Sequence, residues 1–459
     1  MVELSANRER SVALSGKFRD RVLVLKKYRL SLGTWYRKLG IMMLGKRSLI
    51  LIVLVVLYIP DGVAAGEQSG KSSFLDNIKF SGRVHYQISG NRNSGKAGKL
   101  LGVPETGDKH TNVGLPKFLL GVGYRIGGSN FLVTQFTSEG GEIVLDSLFF
   151  KSKVTDRFVL TIGRLPIPLS MEADTSGNHF LMNEKTRANV GSSSDKKISR
   201  KTVVLFTTMG IGANAEYSDE YAGLQMGFYG NDVRDRSEEM SKKIFSVRGR
   251  VNPYRKGNNL VHLGANYFYE DRGIYGVPAM TKQEADEIGT MPIFASDRVG
   301  FEFALNYGIV NFQSEYHFLT ATVGKFHDSS FRGRTKKLHN FYAQVNINLT
   351  GETLEYSSGV FGSPRVKSPV DRGGPGAIGL VARYSENNLN DYSDDKPFDY
   401  GRHREISMAL NWMPVNSLRF TMQLSNFREK FELPRAIELN EGKGTNEYYA
   451  FSLKSRFFF

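Results

Sequence analysis

The sequence contains no cysteine, which excludes a disulfide framework, a thiolate metal site and a thiol nucleophile. Its eight histidines show no i,i+4 pair and no metal-ligand spacing, so neither a metal nor any other cofactor is expected. Beyond residue 65 no run approaches the roughly 18 apolar residues of a transmembrane helix. Hydrophobic residues make up 40% of the chain and the mean hydropathy is −0.31. Such values suit a soluble protein. They equally suit membrane strands, in which only every second residue faces lipid. No helical period of comparable length occurs. Gly90–Ala97, GNRNSGKA, has the outline of a phosphate-binding loop but lacks the Ser/Thr after Lys96 and any following helical pattern. The formal charge is +15, from 61 Lys+Arg and 46 Asp+Glu, with 12 basic and 4 acidic residues in the first 65. The remaining 49 basic and 42 acidic residues leave a net +7. They form no basic stripe or recognition motif, so no nucleic-acid partner is expected.

What is present begins with an export signal. Residues 46–65 read KRSLILIVLVVLYIPDGVAA: a basic pair, an apolar core over Leu49–Ile59, and small residues at Val63, Ala64 and Ala65. That order is a secretory signal peptide cleaved after Ala65. Residues 1–65 are thus expected to be an export region, with the signal over 42–65. Met42 or Met43 offers a start that would give the basic pair its usual position. The mature domain is expected over 66–459.

From there the chain alternates. In 341–350, FYAQVNINLT, the residues Phe341, Ala343, Val345, Ile347 and Leu349 share one face and Tyr342, Gln344, Asn346, Asn348 and Thr350 the other. Segments 78–88, 117–126, 301–309, 405–412 and 418–424 repeat the pattern, with Arg83, His85, Lys117 and Arg125 on polar faces. Many of these segments run about 9–11 residues, the length of a tilted membrane-crossing strand. About sixteen are expected, joined by short turns on one side and long loops on the other. The long stretches are 89–116, 174–200, 271–297, 355–375 and 386–402; Gly128-Ser129 and 413–417 are short. The closing segment AFSLKSRFFF places Phe451, Leu453, Ser455, Phe457 and Phe459 on one face. The fold expected is all-β, a transmembrane antiparallel β-barrel in the bacterial outer membrane. Arg83, Lys117, Arg125, Arg248, Arg250, Lys454 and Arg456 all fall on lumen faces.

Several segments, in order from about 78 to 459, carry a family resemblance: FSGRVHYQ (80–87), FVLTIGRLPIPLSMEADTS (158–176), FYGNDVRD (228–235), VRGRVNP (247–253), LVHLGANYFYED (260–271), FYAQVNINLTGE (341–352), VKSPVDRGGPGAIGLVARYS (366–385) and the last strand. Together they resemble the phosphate-selective porins O and P. The resemblance implies a sixteen-stranded barrel, a homotrimer, loops folded into the lumen, and an arginine and lysine ladder passing phosphate-like anions. Arg83 matches a ladder arginine, Lys117 one of an arginine pair whose other member is replaced by Pro116, Asp146 a constriction acid, and Ser176 a constriction serine. Ala173 stands where the phosphate-specific member has a lysine. Lys325 and Lys337 fall near lysines of a long loop.

The expected function is passive diffusion of small anions, phosphate or polyphosphate-like solutes among them, through a basic-lined pore. No catalytic residue is expected. The expected partners are small inorganic anions, outer-membrane lipid and lipopolysaccharide, further copies of the chain in a homotrimer, and the outer-membrane assembly machinery, reached through Phe459. The competing readings are a barrel enzyme such as a lipid hydrolase, which would need a Ser/His/Asp set near the rim, and a plugged structural or adhesive barrel.

Overall fold

The structure, a computed structural model, describes residues 74–459 apart from 94–109, 114–116, 140–141, 187–207, 231–242, 272–292, 324–334, 392–397 and 433–442. The export region and Lys325 lie outside the described residues. In chain order the strands are β1 (Ile78–Asn93), β2 (His110–Val113), β3 (Lys117–Ile126), β4 (Asn130–Glu139), β5 (Glu142–Lys153), β6 (Phe158–Pro166), β7 (Met209–Ser218), β8 (Ala222–Gly230), β9 (Lys243–Lys256) and β10 (Asn259–Asp271). Then come β11 (Ile293–Tyr307), β12 (Val310–Val323), β13 (Thr335–Asn348), β14 (Leu354–Ser357), β15 (Val360–Pro364), β16 (Ala377–Asp391), β17 (Phe398–Val415), β18 (Leu418–Glu432) and β19 (Lys443–Phe458). A single helical turn, α1 (Met171–Asp174), lies between β6 and β7.

Sequence-adjacent wall strands pair antiparallel, and β19 pairs with β1, so the sheet closes on itself and has no free edge. Both β2 and β3 pair with β1, through Ile88↔Val113 and His85↔Lys117. They are two parts of one wall strand, and β14–β15 form a separate hairpin. The wall therefore has sixteen strands. Closure is sealed at the C-terminus, where the Phe459 N–H donates to the Gly82 carbonyl and the Gly82 N–H to the Phe459 carbonyl.

Period two decides which way each side chain faces. Phe301, Phe303, Leu305, Ile406, Met408, Leu424, Phe451 and Phe457 stand outward and exposed, while Glu302, Asn306, Glu405, Ser407, Lys454 and Arg456 stand inward and buried. An exposed apolar band around a polar interior is the pattern a lipid bilayer selects.

One end of the barrel carries the turns 127–129, 154–157, 219–221, 257–258, 308–309 and 416–417; the other carries most of the long connections. The expected division of lengths holds with two exceptions. The link between β4 and β5 at the loop end is only 140–141. The connection 349–376, grouped above with the long loops, emerges from the turn end, and its β14–β15 hairpin folds up into the lumen. The expected loops 89–116, 271–297 and 386–402 also shrink, because β1, β11, β16 and β17 run on beyond the alternating cores.

A second segment enters from the loop end. Gly163 sits at φ +139°, and a Cβ there would meet the Leu148 carbonyl at 2.4 Å; only glycine fits at this point, one residue before β6 parts from β5, while its pairing with β7 runs on to Pro166. Leu165, Ile167 and Leu169 then pack on Tyr229, Ile244, Phe268, Leu319, Ala321 and Leu338. Met171, Leu181 and Met182 from this infolded loop meet Leu354, Tyr356 and Phe361 from the infolded turn, against Leu260, Ala304, Val381 and Ala409 of the wall. The lumen is thus filled on the β9–β18 side. Arg83, His85, Gln87, Lys117 and Lys151, from β1, β3 and β5, keep solvent access.

Candidate functional site

Ser170 caps α1 by accepting from the Ala173 N–H, and Asp174 accepts from the Leu169 N–H at 3.0 Å. The chain beyond is strapped to the wall carbonyl by carbonyl. Arg419 donates to Phe180 O at 2.8 Å, Asn411 to Leu181 O at 2.8 Å, Arg456 to Met182 O at 2.8 Å, Lys454 to Asn183 O at 2.7 Å and Arg383 to Glu184 O at 3.0 Å. Irregular backbone at membrane depth must have its polar groups satisfied by protein, and inward residues of β16–β19 do this.

The infolded turn is held from β9. Arg248 donates to Gly359 O at 2.7 Å and pairs with Glu302 at 2.7 Å and Asp174 at 3.3 Å. Arg250 donates to Ser218 Oγ at 2.6 Å and lies 5.9 Å from the Tyr356 ring centroid. The Tyr356 hydroxyl lies 2.7 Å from His262 Nδ1 and donates to Asn252 at 2.9 Å. Burial raises the Tyr356 hydroxyl above its ordinary pKa, so it remains a neutral donor.

Among the described residues, what is left open lies between the loop tip 175–178 and β1–β5. Arg83 reaches across to the tip: a Cβ on Gly177 would lie 2.2 Å from its Nη1. Ser176 stands exposed at that tip, its carbonyl accepting from the His179 N–H at 2.8 Å. Asp146 is the extra residue of a β-bulge, because Gln135 pairs Ser147 while Phe136 pairs Leu145. Its carboxylate acts electrostatically on Arg83. His85 is surrounded by Lys454, Arg83, Arg456 and Lys117. Lys185 brings a further ammonium, donating to Ala173 O at 2.5 Å beside α1; burial lowers its pKa despite Glu172 and Asp174 nearby. The structure therefore brings Arg83, Lys117, Asp146 and Ser176 around one opening.

The other expected site residues lie elsewhere. Arg248 and Arg250 face the lumen but are buried in the clamp on the infolded turn. Arg125 keeps the expected face yet sits exposed at the turn end, 5.8 Å from the Phe131 ring centroid. Lys337 is a correction. It points outward, because Leu338, Asn340 and Tyr342 fix the even positions of β13 as inward, and its neighbour Lys336 is the fully buried one. Arg298, Arg383, Arg419, Lys185 and the carboxylates Glu172, Asp174, Glu302 and Glu315 were not singled out from sequence. Parity alone flags Arg419, which alternates with Leu418 and Phe420.

A Ser–His contact also lies in the lumen, with His179 Nδ1 2.9 Å from Ser363 Oγ. Arg419 donates to the same Oγ at 2.6 Å. Burial, Arg419 and Arg83 hold the His179 pKa below its ordinary value, and among the described residues no carboxylate acts on it. The pair is a polar link between loop and turn and lacks the orienting acid of a hydrolytic triad.

The sequence model of phosphate-selective porin O and P matches residues 122–432. The chain belongs to this family. Porin O of Pseudomonas aeruginosa is 28% identical over 173 residues, 32% of this chain and 38% of that protein. An uncharacterised protein of Caulobacter vibrioides is 26% identical over 228 residues, 46% of this chain and 44% of that protein. The matches thus span less than half the length of either relative. Among solved structures, Pseudomonas putida OprB at high pH superposes with TM-score 0.50 and 12% identity over 84% of this chain and 95% of its own, a likeness of fold. An anion-selective porin from Comamonas acidovorans gives TM-score 0.48 and 9% identity over 83% and 99%. The porin is a protein of the bacterial outer membrane, with its short turns on the periplasmic side.

Proposed function

We propose that this porin lets small anions diffuse passively through the opening between the infolded loop and β1–β5, with phosphate-like solutes among those it passes. The observation that carries the reading is the crowding of Arg83, Lys117, Lys454 and Arg456 around His85, with two carboxylates against them, Asp146 acting on Arg83 and Glu184 paired with Lys454 at 2.9 Å. Arg and Lys give charge-assisted hydrogen bonds to anions, and several moderate sites in sequence let an ion enter and leave again. Ser176 and Asp146 frame this opening. Lys185 adds to its positive potential, Arg125 lies at the periplasmic mouth, and Lys325 is proposed on resemblance alone. Arg248 and Arg250 serve the pathway indirectly, by holding the infolded turn. The barrel acts as a channel without catalytic residues, and we also propose that it works as a homotrimer. Its outer partners are lipid and lipopolysaccharide, and the assembly machinery reads the terminal strand ending in Phe459. The export region 1–65 is proposed to be removed before assembly. Family membership supports these statements.

The test is conductance in planar bilayers. Reversal potentials under a KCl gradient should report chloride over potassium, and added phosphate or pyrophosphate should reduce chloride current. Cation preference, or no ion-conducting state, would overturn the reading.

A further inference from the structure

The outward face of β16–β19 is layered. Register sets Ala382, Met408, Leu424 and Phe451 at one height, and Tyr384, Ile406, Asn426 and Tyr449 one row nearer the extracellular loops. The next row is Glu386, Arg404, Arg428 and Glu447, and the next Asn388, Arg402 and Lys430. Two adjacent strands thus present a two-by-two array of cations directly above the apolar belt.

Arg404 faces Arg428 and Arg402 faces Lys430. Cross-strand partners have Cα atoms only about 4.5–5.5 Å apart, and like charges placed opposite destabilise a sheet. The flanking carboxylates do not resolve this. Glu386 is shared, accepting from Arg402 Nε at 2.8 Å and Arg404 Nε at 2.9 Å. Glu447 accepts from Asn426 at 2.9 Å and from the Tyr449 hydroxyl at 3.4 Å. Among the described residues Arg428 has no ion-pair partner. The Arg402 and Arg404 side chains remain 41% and 42% exposed.

We propose that this array binds the phosphomonoester headgroup of an outer-leaflet lipid. Arg402 and Arg404 share the single carboxylate of Glu386, so with Arg428 beside them the three arginines carry more positive charge than that carboxylate offsets, and the arginine fork suits phosphate oxygens. The belt below identifies the phosphate as a lipid's: Met408 is 65% exposed, Leu424 57% and Tyr449 55%, a surface over which acyl chains can run. The site faces away from the pore and does not rest on the conduction reading.

The test uses the full-length porin in detergent, with lipid binding read by native mass spectrometry. Lipid A carrying two phosphates is compared with the same lipid after phosphatase treatment and with phosphatidylethanolamine. Proteins are wild type, R404Q/R428Q and R404K/R428K. The phosphorylated lipid should bind wild type about tenfold or more tightly than the dephosphorylated one. The Gln double variant should lose that preference and the Lys variant keep most of it, with subunit number and single-channel conductance unchanged. A Gln variant binding the phosphorylated lipid as wild type does would overturn the proposal. So would a Gln variant that dissociates into monomers with its lipid affinity intact, which would mark the face as a subunit contact. Should the Gln variant fail to fold, equal affinity of the Lys variant for the two lipid A forms refutes the proposal equally well.

Discussion

Replacing Arg83 with Ala removes the cation that lies against the loop tip at Gly177. Two unit charges 4 Å apart interact by about 1 kcal/mol at the dielectric of water and about 4 kcal/mol at an effective value of 20. A wet opening with low-dielectric walls lies between these limits. Taking the lower one, and about 1.4 kcal/mol per tenfold change, anion occupancy beside Gly177 falls about fivefold. The chloride-to-potassium permeability ratio, from reversal potentials at 0.1 M KCl, should fall by about that factor. Screening supplies an internal check, because the Debye length shrinks from about 10 Å at 0.1 M to about 3 Å at 1 M; the deficit should shrink at high salt. D146N removes the carboxylate acting on Arg83 and should raise anion preference. R125A, at the periplasmic mouth, should change the ratio by less than about 1.5-fold. An R83A ratio within 1.5-fold of wild type, at about one Debye length of screening, would refute the placement of the pathway.

Other outcomes follow from the loop and its straps. R456M leaves Met182 O and Thr421 Oγ without a donor and should cost about 2–3 kcal/mol of barrel stability, read as a lower unfolding temperature together with noisier open-channel current. Burial pushes the Asp174 carboxyl up to about 6, with Arg248 and Lys185 opposing the shift and Glu302 reinforcing it. Its folded form therefore holds a proton more tightly than the unfolded chain does. This stabilisation is complete below about pH 3.8 and is lost as pH rises through about 6. It is on the order of 3 kcal/mol, and D174N should flatten that part of the profile of unfolding temperature against pH. G163A, which needs φ near +139° and brings a Cβ to 2.4 Å from Leu148 O, should sharply lower the yield of folded barrel, seen as loss of the fast-migrating unheated band.

The wall was legible because period two fixes facing with no further information. Lys337 shows the rule at work. Resemblance to a loop lysine pointed to it, whereas carrying the alternation of FYAQVNINLT back by five residues puts Lys336 inside, where it lies. The infolded turn was less legible. Leu354, Tyr356 and Phe361 form an apolar cluster in what a polar turn should be, and that mismatch is the signal that could have exposed it. The infolded loop leaves a similar trace in LPIPLSM, an apolar run that neither alternates nor repeats at helical period.

Which wall cations strap the loop and which meet ions cannot be told from sequence, since both kinds occupy inward positions of alternating strands. The distinction depends on where the loop leans, and the loop leans on β16–β19. Strapping does not remove a residue from the pathway, however, because partner type decides whether its charge survives. Arg248 and Arg383 face Glu302 and Glu405, at 2.7 and 2.9 Å, and are neutralised. Arg419 and Arg456 donate to carbonyls, hydroxyls and a thioether sulfur. A carbonyl satisfies a hydrogen bond but cancels no charge. Arg456 acts electrostatically on both Arg83 and His85. The side chains that fix the loop therefore also supply positive potential to the opening the loop creates, and a modest net excess of +7 over residues 66–459 becomes a local concentration of cations that Asp146 and Glu184 offset only in part.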